Sequence, residues 1–168
     1  MKYIEPLKCI KIQSEDSKDM DNYDFVEFKY PGEWCVLHSN GRNCTLESKD
    51  GVILKDKMTL KADLVGHYWK FKNKNIFTYF DVITIDNQNL TYKTFEERRK
   101  SFSKLIRYNS DCVPNWLKTP KTNLISRWKS MWLEKVLVRY RGVDFPGLVF
   151  KKRKSKYGEG IAVLNKTI

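Results

Sequence analysis

Four consecutive cations, Lys151-Lys152-Arg153-Lys154, and several lysines set singly among aromatic residues are the side chains whose types suggest chemistry in this 168-residue chain. A run of this kind is either a solvated turn, a phosphate-contacting patch or a nuclear-localisation-like signal. The whole chain favours a phosphate partner. With 32 Lys and Arg against 20 Asp and Glu, its net charge is +12, which points to nucleic acid or nucleotide without choosing between them, although the same excess also serves solubility. Other chemistries are poorly supplied. Cys9, Cys35, Cys44 and Cys112 lie far apart with no C-x-x-C, and His38 and His67 are the only histidines, which argues against structural zinc. Reduced thiols are therefore expected, with no Cys35–Cys44 disulfide, in an intracellular reducing compartment, cytoplasmic or nuclear. No apolar run reaches the ~20 residues that span a bilayer, and residues 1–16 lack a secretory core, so no membrane partner is expected.

The elements that must position these side chains read as one domain over residues 1–168. A short first strand leads into an acidic surface loop, Ser14 to Asn22. Between Tyr23 and Leu54, period-two runs are separated by Pro31-Gly32 and Ser39-Asn40-Gly41, which predicts an antiparallel meander. Two further strands, 66–71 and 75–86, flank the turn Lys72-Asn73-Lys74-Asn75, and the second is apolar enough to be central. Thr94 caps an amphipathic helix whose apolar face is Phe95, Phe102, Leu105 and Ile106. Residues 111–123 read as a loop, and 126–140 as a second helix with Trp128, Trp132 and Leu133 inward. Strands return at 145–152 and 160–165, so the expected class is α+β, a mostly antiparallel sheet with flanking helices.

Read in order, EFKYPGEW (27–34), SKDG (48–51), FTYFDVITID (77–86) with FEERR (95–99), GLVFK (147–151) with SKYGEG (155–160), and Lys166 resemble the adenylation domain of ATP-dependent DNA ligases. The similarity extends more distantly to RNA ligases and mRNA capping guanylyltransferases, and it covers nearly the whole chain. It implies a minimal nucleotidyltransferase domain without an OB-fold, the chain ending where that domain would follow. It further implies ATP as the nucleotide, with GTP open, and Mg2+ only if the protein is active. Lys29 stands where the family's K-x-D-G lysine attacks the α-phosphate, and Glu27, Lys49, Phe80, Lys151 and Lys166 match nucleotide-contacting positions, Phe80 as a stacking surface. Residues 151–154 are the expected nucleic-acid contacts.

The departures from that pattern are systematic. The motif aspartate is Pro31, the arginine of G-x-R is Trp34, the glutamate of D-G-E is His67, the glutamate of E-G-L-V-x-K is Pro146, and the second lysine of the last motif is Ile168. Amine attack on a phosphate needs a neutral lysine and, usually, divalent metal. A lysine of pKa ~10.4 is neutral in only about one molecule in 2,500 at pH 7, so a shift of roughly three units is required. Lys49, Lys151 and Lys166 are the cations expected to supply it. Three missing carboxylates leave magnesium without its family ligands, and no metal site is expected. The expectation is a degenerate ligase-like protein that binds nucleotide or nucleic acid with little or no catalysis. The alternatives are an active minimal ligase, its metal on Glu27, Glu33, Asp81 or Glu159, and a non-catalytic scaffold for a protein partner in replication, repair or transcription.

Overall fold

Short alternating runs give two sheets, and the chain changes from one to the other at a glycine. The computed structural model describes residues 3–166. In chain order the strands are β1 (Ile10–Lys11), β2 (Phe25–Lys29), β3 (Glu33–Ser39), β4 (Asn43–Ser48), β5 (Gly51–Lys57), β6 (Ala62–Phe71), β7 (Lys74–Ile85) and β8 (Gln88–Asn89). Helix α1 (Phe95–Tyr108) follows, then β9 (Leu117–Lys118), β10 (Asn123–Leu124), α2 (Trp128–Met131), β11 (Gly147–Lys151) and β12 (Ile161–Asn165). One sheet has the order β1-β12-β11-β2-β10; the other runs β5-β4-β3-β6-β7-β8, with β9 also paired to β7. Pairing is antiparallel except for β1 with β12 and β9 with β7. The α+β class expected from the sequence is the one observed.

The predicted meander is divided. β2 belongs to the five-stranded sheet between β11 and β10, and the meander begins only at β3. Alternation reads the same on either sheet, so the break is invisible in the hydropathy pattern. Its physical cause is Gly32. At φ +97° the glycine turns the chain, and a Cβ there would sit 2.2 Å from the Tyr68 carbonyl oxygen and 2.7 Å from the Trp69 Cβ. In the next hairpin only Gly41, not Asn40, takes positive φ, while the Asn40 Oδ1 accepts from the amides of Arg42 and Asn43, each at 2.9 Å.

Three further expectations need correction. The 14–22 loop is not wholly polar, because Met20 in the 3-10 turn Asp19–Asn22 is buried in the core. The second helix is short, with α2 passing into a π turn over Trp132–Val136. That turn, marked by the Leu137 amide donating to the Trp132 carbonyl at 2.9 Å, buries both Trp132 and Val136 and leaves Leu133 49% exposed. The 111–123 loop contains β9 and the start of β10.

Apolar residues form a core on each side of the sheets. Val26, Leu148, Phe150 and Leu164 of the five-stranded sheet pack with Met131, Trp132 and Val136. Leu37, Leu46, Leu64 and Tyr79 of the other sheet pack against Phe102 of α1. Gly51 also has positive φ, +123°, but nothing lies within 4 Å of a Cβ there. Gly51→Ala is expected to cost about 1–2 kcal/mol from backbone strain alone, and Gly32→Ala ~3 kcal/mol or more because overpacking adds to it. Urea denaturation measures the difference; equal destabilisation would mean that β6 yields to the new methyl group without cost.

Candidate functional site: a cationic cleft between the sheets

Alternation along β2 places Phe25, Glu27 and Lys29 on the face opposite the Val26–Phe28 core. The register of β11 and β12 sets Lys29 beside Gly147 and Asn165, and Glu27 beside Val149 and Val163. Across from this face stand β6 and β7. Their pairing slips between Val65 and Gly66, so that Val65 opposes Asp81, Gly66 opposes Tyr79, and Phe80 is left unpaired in a bulge. The bulge requires Gly66, because a Cβ there would meet the Thr78 carbonyl oxygen at 2.3 Å. Tyr79 then points to α1, its ring edge-on to Phe102 at 5.1 Å, while Phe80 faces the cleft.

The bulge also frees the Phe80 carbonyl, which two buried cations bind. Arg99 donates to it from Nη2 at 3.0 Å and Lys151 from Nζ at 2.9 Å. Both cations also pair with Glu27, itself only 2% exposed: Arg99 through both terminal guanidinium nitrogens, Lys151 with Nζ 3.0 Å from Oε1. The Thr122 hydroxyl donates to the other carboxylate oxygen. The Lys151 ammonium lies 3.8 Å from the Phe80 ring centroid and 4.6 Å from that of Phe95. A second pair is built beside the first. Arg98, 1% exposed, binds Asp81 through Nε at 2.8 Å and Nη2 at 2.9 Å, and its Nη1 reaches the Lys93 and Ser155 carbonyls at 2.6 and 3.1 Å.

Burial opposes the charge on Glu27, but Arg99 and Lys151 outweigh it and hold its carboxyl at about 2. Burial pushes Lys151 down, with Glu27 opposing and Arg99 reinforcing. These residues form a closed ionic layer beneath the cleft.

Above that layer the cleft encloses about 270 Å³, lined by Pro6, Leu7, Cys9, Lys11 and Lys29 on one side and by Trp34, His67, Phe80, Val149 and Asn165 around the rest. It lies at the small end of ligand pockets. The Lys29 Nζ donates to the Asn165 Oδ1 at 2.7 Å. Burial lowers its pKa and Lys11 acts in the same direction, while Cys9 opposes. His67 is pushed down to about 4 by burial, then by Lys29 and Lys151, so its imidazole is neutral at pH 7. The Trp34 ring sits edge-on to both His67 and Phe80, at 5.4 and 5.8 Å, and its indole N–H donates to the Ile4 carbonyl at 2.9 Å, which anchors the N-terminal segment near the cleft.

The residues predicted for the site fall into separate places. Lys29 and Phe80 meet in the cleft, over the buried layer that contains Glu27 and Lys151. Lys49 is exposed at the β4–β5 turn and does not line the cleft. Lys166 points the other way, to Asp144 and the Val136 carbonyl, because strand alternation after Asn165 reverses the face. The cation acting on Lys29 is therefore Lys11, not Lys49, Lys151 or Lys166. The basic run divides too. Lys151 is 1% exposed, whereas Lys152, Arg153 and Lys154 are exposed, with Arg153 held by Glu96 at 3.3 Å and lying over Phe25. Ile168 lies outside the described residues.

Of the carboxylates considered for a metal, Glu27 and Asp81 are bound by guanidinium groups, and Glu33 and Glu159 are exposed outside the cleft lining. No group of three His, Cys, Asp or Glu side chains able to hold a metal occurs among the described residues.

No protein-family model and no curated protein matches the sequence. Solved structures do match. The ligase domain of M. tuberculosis LigD superposes with a TM-score of 0.62 at 14% identity, covering 94% of this chain and 58% of that one. The chain has a ligase-type nucleotidyltransferase-like fold. A mycobacterial DNA ligase D complexed with ATP and MES gives 0.61 at 13% identity over 94% and 60% of the two chains. A Lig E DNA ligase described as binding DNA with a minimal scaffold gives 0.60 at 12% over 97% and 69%. The chain thus spans under two thirds of the two ligase D structures. No helix among the described residues is long and apolar enough to cross a membrane.

Replacing Glu27 by Gln leaves Arg99 and Lys151 buried without their counter-charge, at a cost of about 3–5 kcal/mol at pH 7. The native carboxyl is held near 2, below its ordinary 4.5, so its contribution is present above pH 4.5 and is lost as pH falls towards 2. The stability gap between wild type and Glu27→Gln is therefore expected to narrow across that interval in chemical denaturation. A gap independent of pH would assign the destabilisation to packing.

Proposed function

We propose that this chain binds a nucleotide or nucleic acid in the cleft around Lys29 and performs little or no nucleotidyl transfer. One observation carries the reading: no Asp or Glu lines the cleft among the described residues, while Lys29, Lys11 and the aromatic faces of Phe80 and Trp34 do. Such a lining suits phosphate oxygens and a purine ring, and it offers magnesium no carboxylate. The resemblance locates the family's carboxylates at Pro31, His67 and Pro146, and of these positions His67 lines the cleft, as a neutral imidazole in place of a carboxylate. ATP is the favoured nucleotide, since one structural neighbour is complexed with it. The exposed Lys152, Arg153 and Lys154 would bind further phosphates of a nucleic acid at the β11–β12 turn.

The active alternative has one observation in its favour, the lowered pKa of Lys29, which is the direction a nucleophile needs. The ordinary cause is burial beside Lys11, and the same geometry makes Lys29 a phosphate ligand.

Isothermal titration with ATP, and then GTP, in chelator tests the binding claim. Lys29→Ala is expected to weaken nucleotide binding by about ten- to a hundred-fold, because a charge-assisted hydrogen bond to phosphate disappears. Unchanged affinity in Lys29→Ala would move the ligand out of this cleft. No binding of nucleotide or nucleic acid by folded wild-type protein would leave the protein-scaffold reading.

A further inference from the structure

Behind β2, on the face away from Lys29, lies a second and larger cavity of about 530 Å³. Its floor is aromatic: Phe28, Tyr30, Trp69, Phe71, Tyr140 and Phe145 line it. Phe28 and Phe145 stack at 4.1 Å and 11°, and Tyr30 meets Trp69 at 5.4 Å. The Trp69 indole N–H is satisfied by the Thr78 hydroxyl at 3.0 Å, so its one polar group needs no partner in the cavity. The rim is cationic. Lys72, Lys74, Lys118, Lys121 and Arg141 border the opening, all exposed, and no Asp or Glu lines it among the described residues.

Two tight turns place three of these cations. Lys72 and Asn73 take φ +48° and +64°, and Arg141 and Gly142 take φ +49° and +79° in the turn closed by the Tyr140 and Val143 amides. None of the five makes an ion pair among the described residues. The nearby Asp144 is already bound by Lys166. The rim therefore presents charge without an acidic partner at the edge of an apolar floor, where Lys72 lies 5.3 Å from the Phe71 ring centroid and Arg141 5.2 Å from that of Tyr140.

We propose that this cavity is a binding site for single-stranded nucleic acid, with unpaired bases on the aromatic floor and backbone phosphates on the Lys72, Lys74, Lys118, Lys121 and Arg141 rim. Charge complementarity fixes the sign of the partner, and the rings fix its class, because a polyanion without flat apolar groups would leave the floor in contact with water. A single strand exposes both phosphates and base faces, whereas a duplex has already paired and stacked its bases. The site does not depend on the Lys29 cleft, so either can fail alone.

Fluorescence anisotropy of a labelled oligothymidylate against salt, with a duplex of equal length beside it, tests the proposal. Lys72→Gln, Lys74→Gln and Lys121→Gln together are expected to weaken the single-strand complex and to reduce the slope of log K against log salt by roughly 0.7 for each phosphate that the rim no longer neutralises. Phe71→Leu and Tyr140→Leu keep the site apolar but remove the ring face, and each is expected to weaken single-strand binding about ten-fold at unchanged slope. Lys55→Gln, at an exposed lysine of β5 that borders neither cavity, should leave the complex intact, which separates the rim from general surface charge. The proposal is overturned if folded rim and ring variants bind the oligonucleotide as wild type does, if the duplex binds equally and is indifferent to Phe71→Leu, or if thymidine monophosphate saturates the cavity as tightly as the oligomer.

Discussion

A single buried carboxylate, Glu27, holds four elements together. Through Arg99 it ties α1 to β2, through Lys151 it ties β2 to β11, and the same two cations clamp the Phe80 carbonyl of β7. The two sheets are joined at this point by charge and hydrogen bonds, with apolar cores lying to either side. A buried ion pair repays its desolvation only when its geometry is good and its remaining polar atoms find partners. Here Thr122, the Phe80 carbonyl and the rings of Phe80 and Phe95 supply them. Arg99 Nε is the exception, buried with no protein partner.

That constraint governs what the cleft above it can do. A carboxylate held at about 2 by a guanidinium and an ammonium has its lone pairs occupied, and Asp81 is likewise filled by Arg98. What remains accessible is cationic, neutral or aromatic. In the proposed function such a lining serves phosphate and a base, and among the described residues it carries no acidic side chain to bring metal to a leaving group. The tertiary role of Glu27 and the absence of a free carboxylate facing the cleft are thus consequences of one arrangement.

Much of this is legible in the sequence. The resemblance points to Lys29 and Phe80, which line one cleft, and the capping of α1 by Thr94 follows from local chemistry: its hydroxyl accepts from the Glu97 amide at 3.2 Å. Arg98 and Arg99 are the main residues that sequence reasoning misses. The sequence assigns them no role beyond their place in FEERR, yet Phe95, Arg98, Arg99 and Phe102 share one helix face by three- and four-residue spacing, and that is the available signal. Asn165, the partner of Lys29, depends on strand register, which no single sequence displays. Lys166 is misplaced for the same reason: once Asn165 faces the cleft, its neighbour cannot. The bulge at Phe80 leaves no local mark except Gly66 on the facing strand.

The central claim, binding without transfer, is tested most directly by intact mass after incubation with ATP or GTP and magnesium or manganese, beside a Lys29→Ala control. The account predicts no covalent nucleotide on folded wild-type protein under any combination. A mass increase equal to one nucleoside monophosphate, absent from Lys29→Ala, would contradict it and would mean that Lys29 still attacks the α-phosphate without the family's carboxylates.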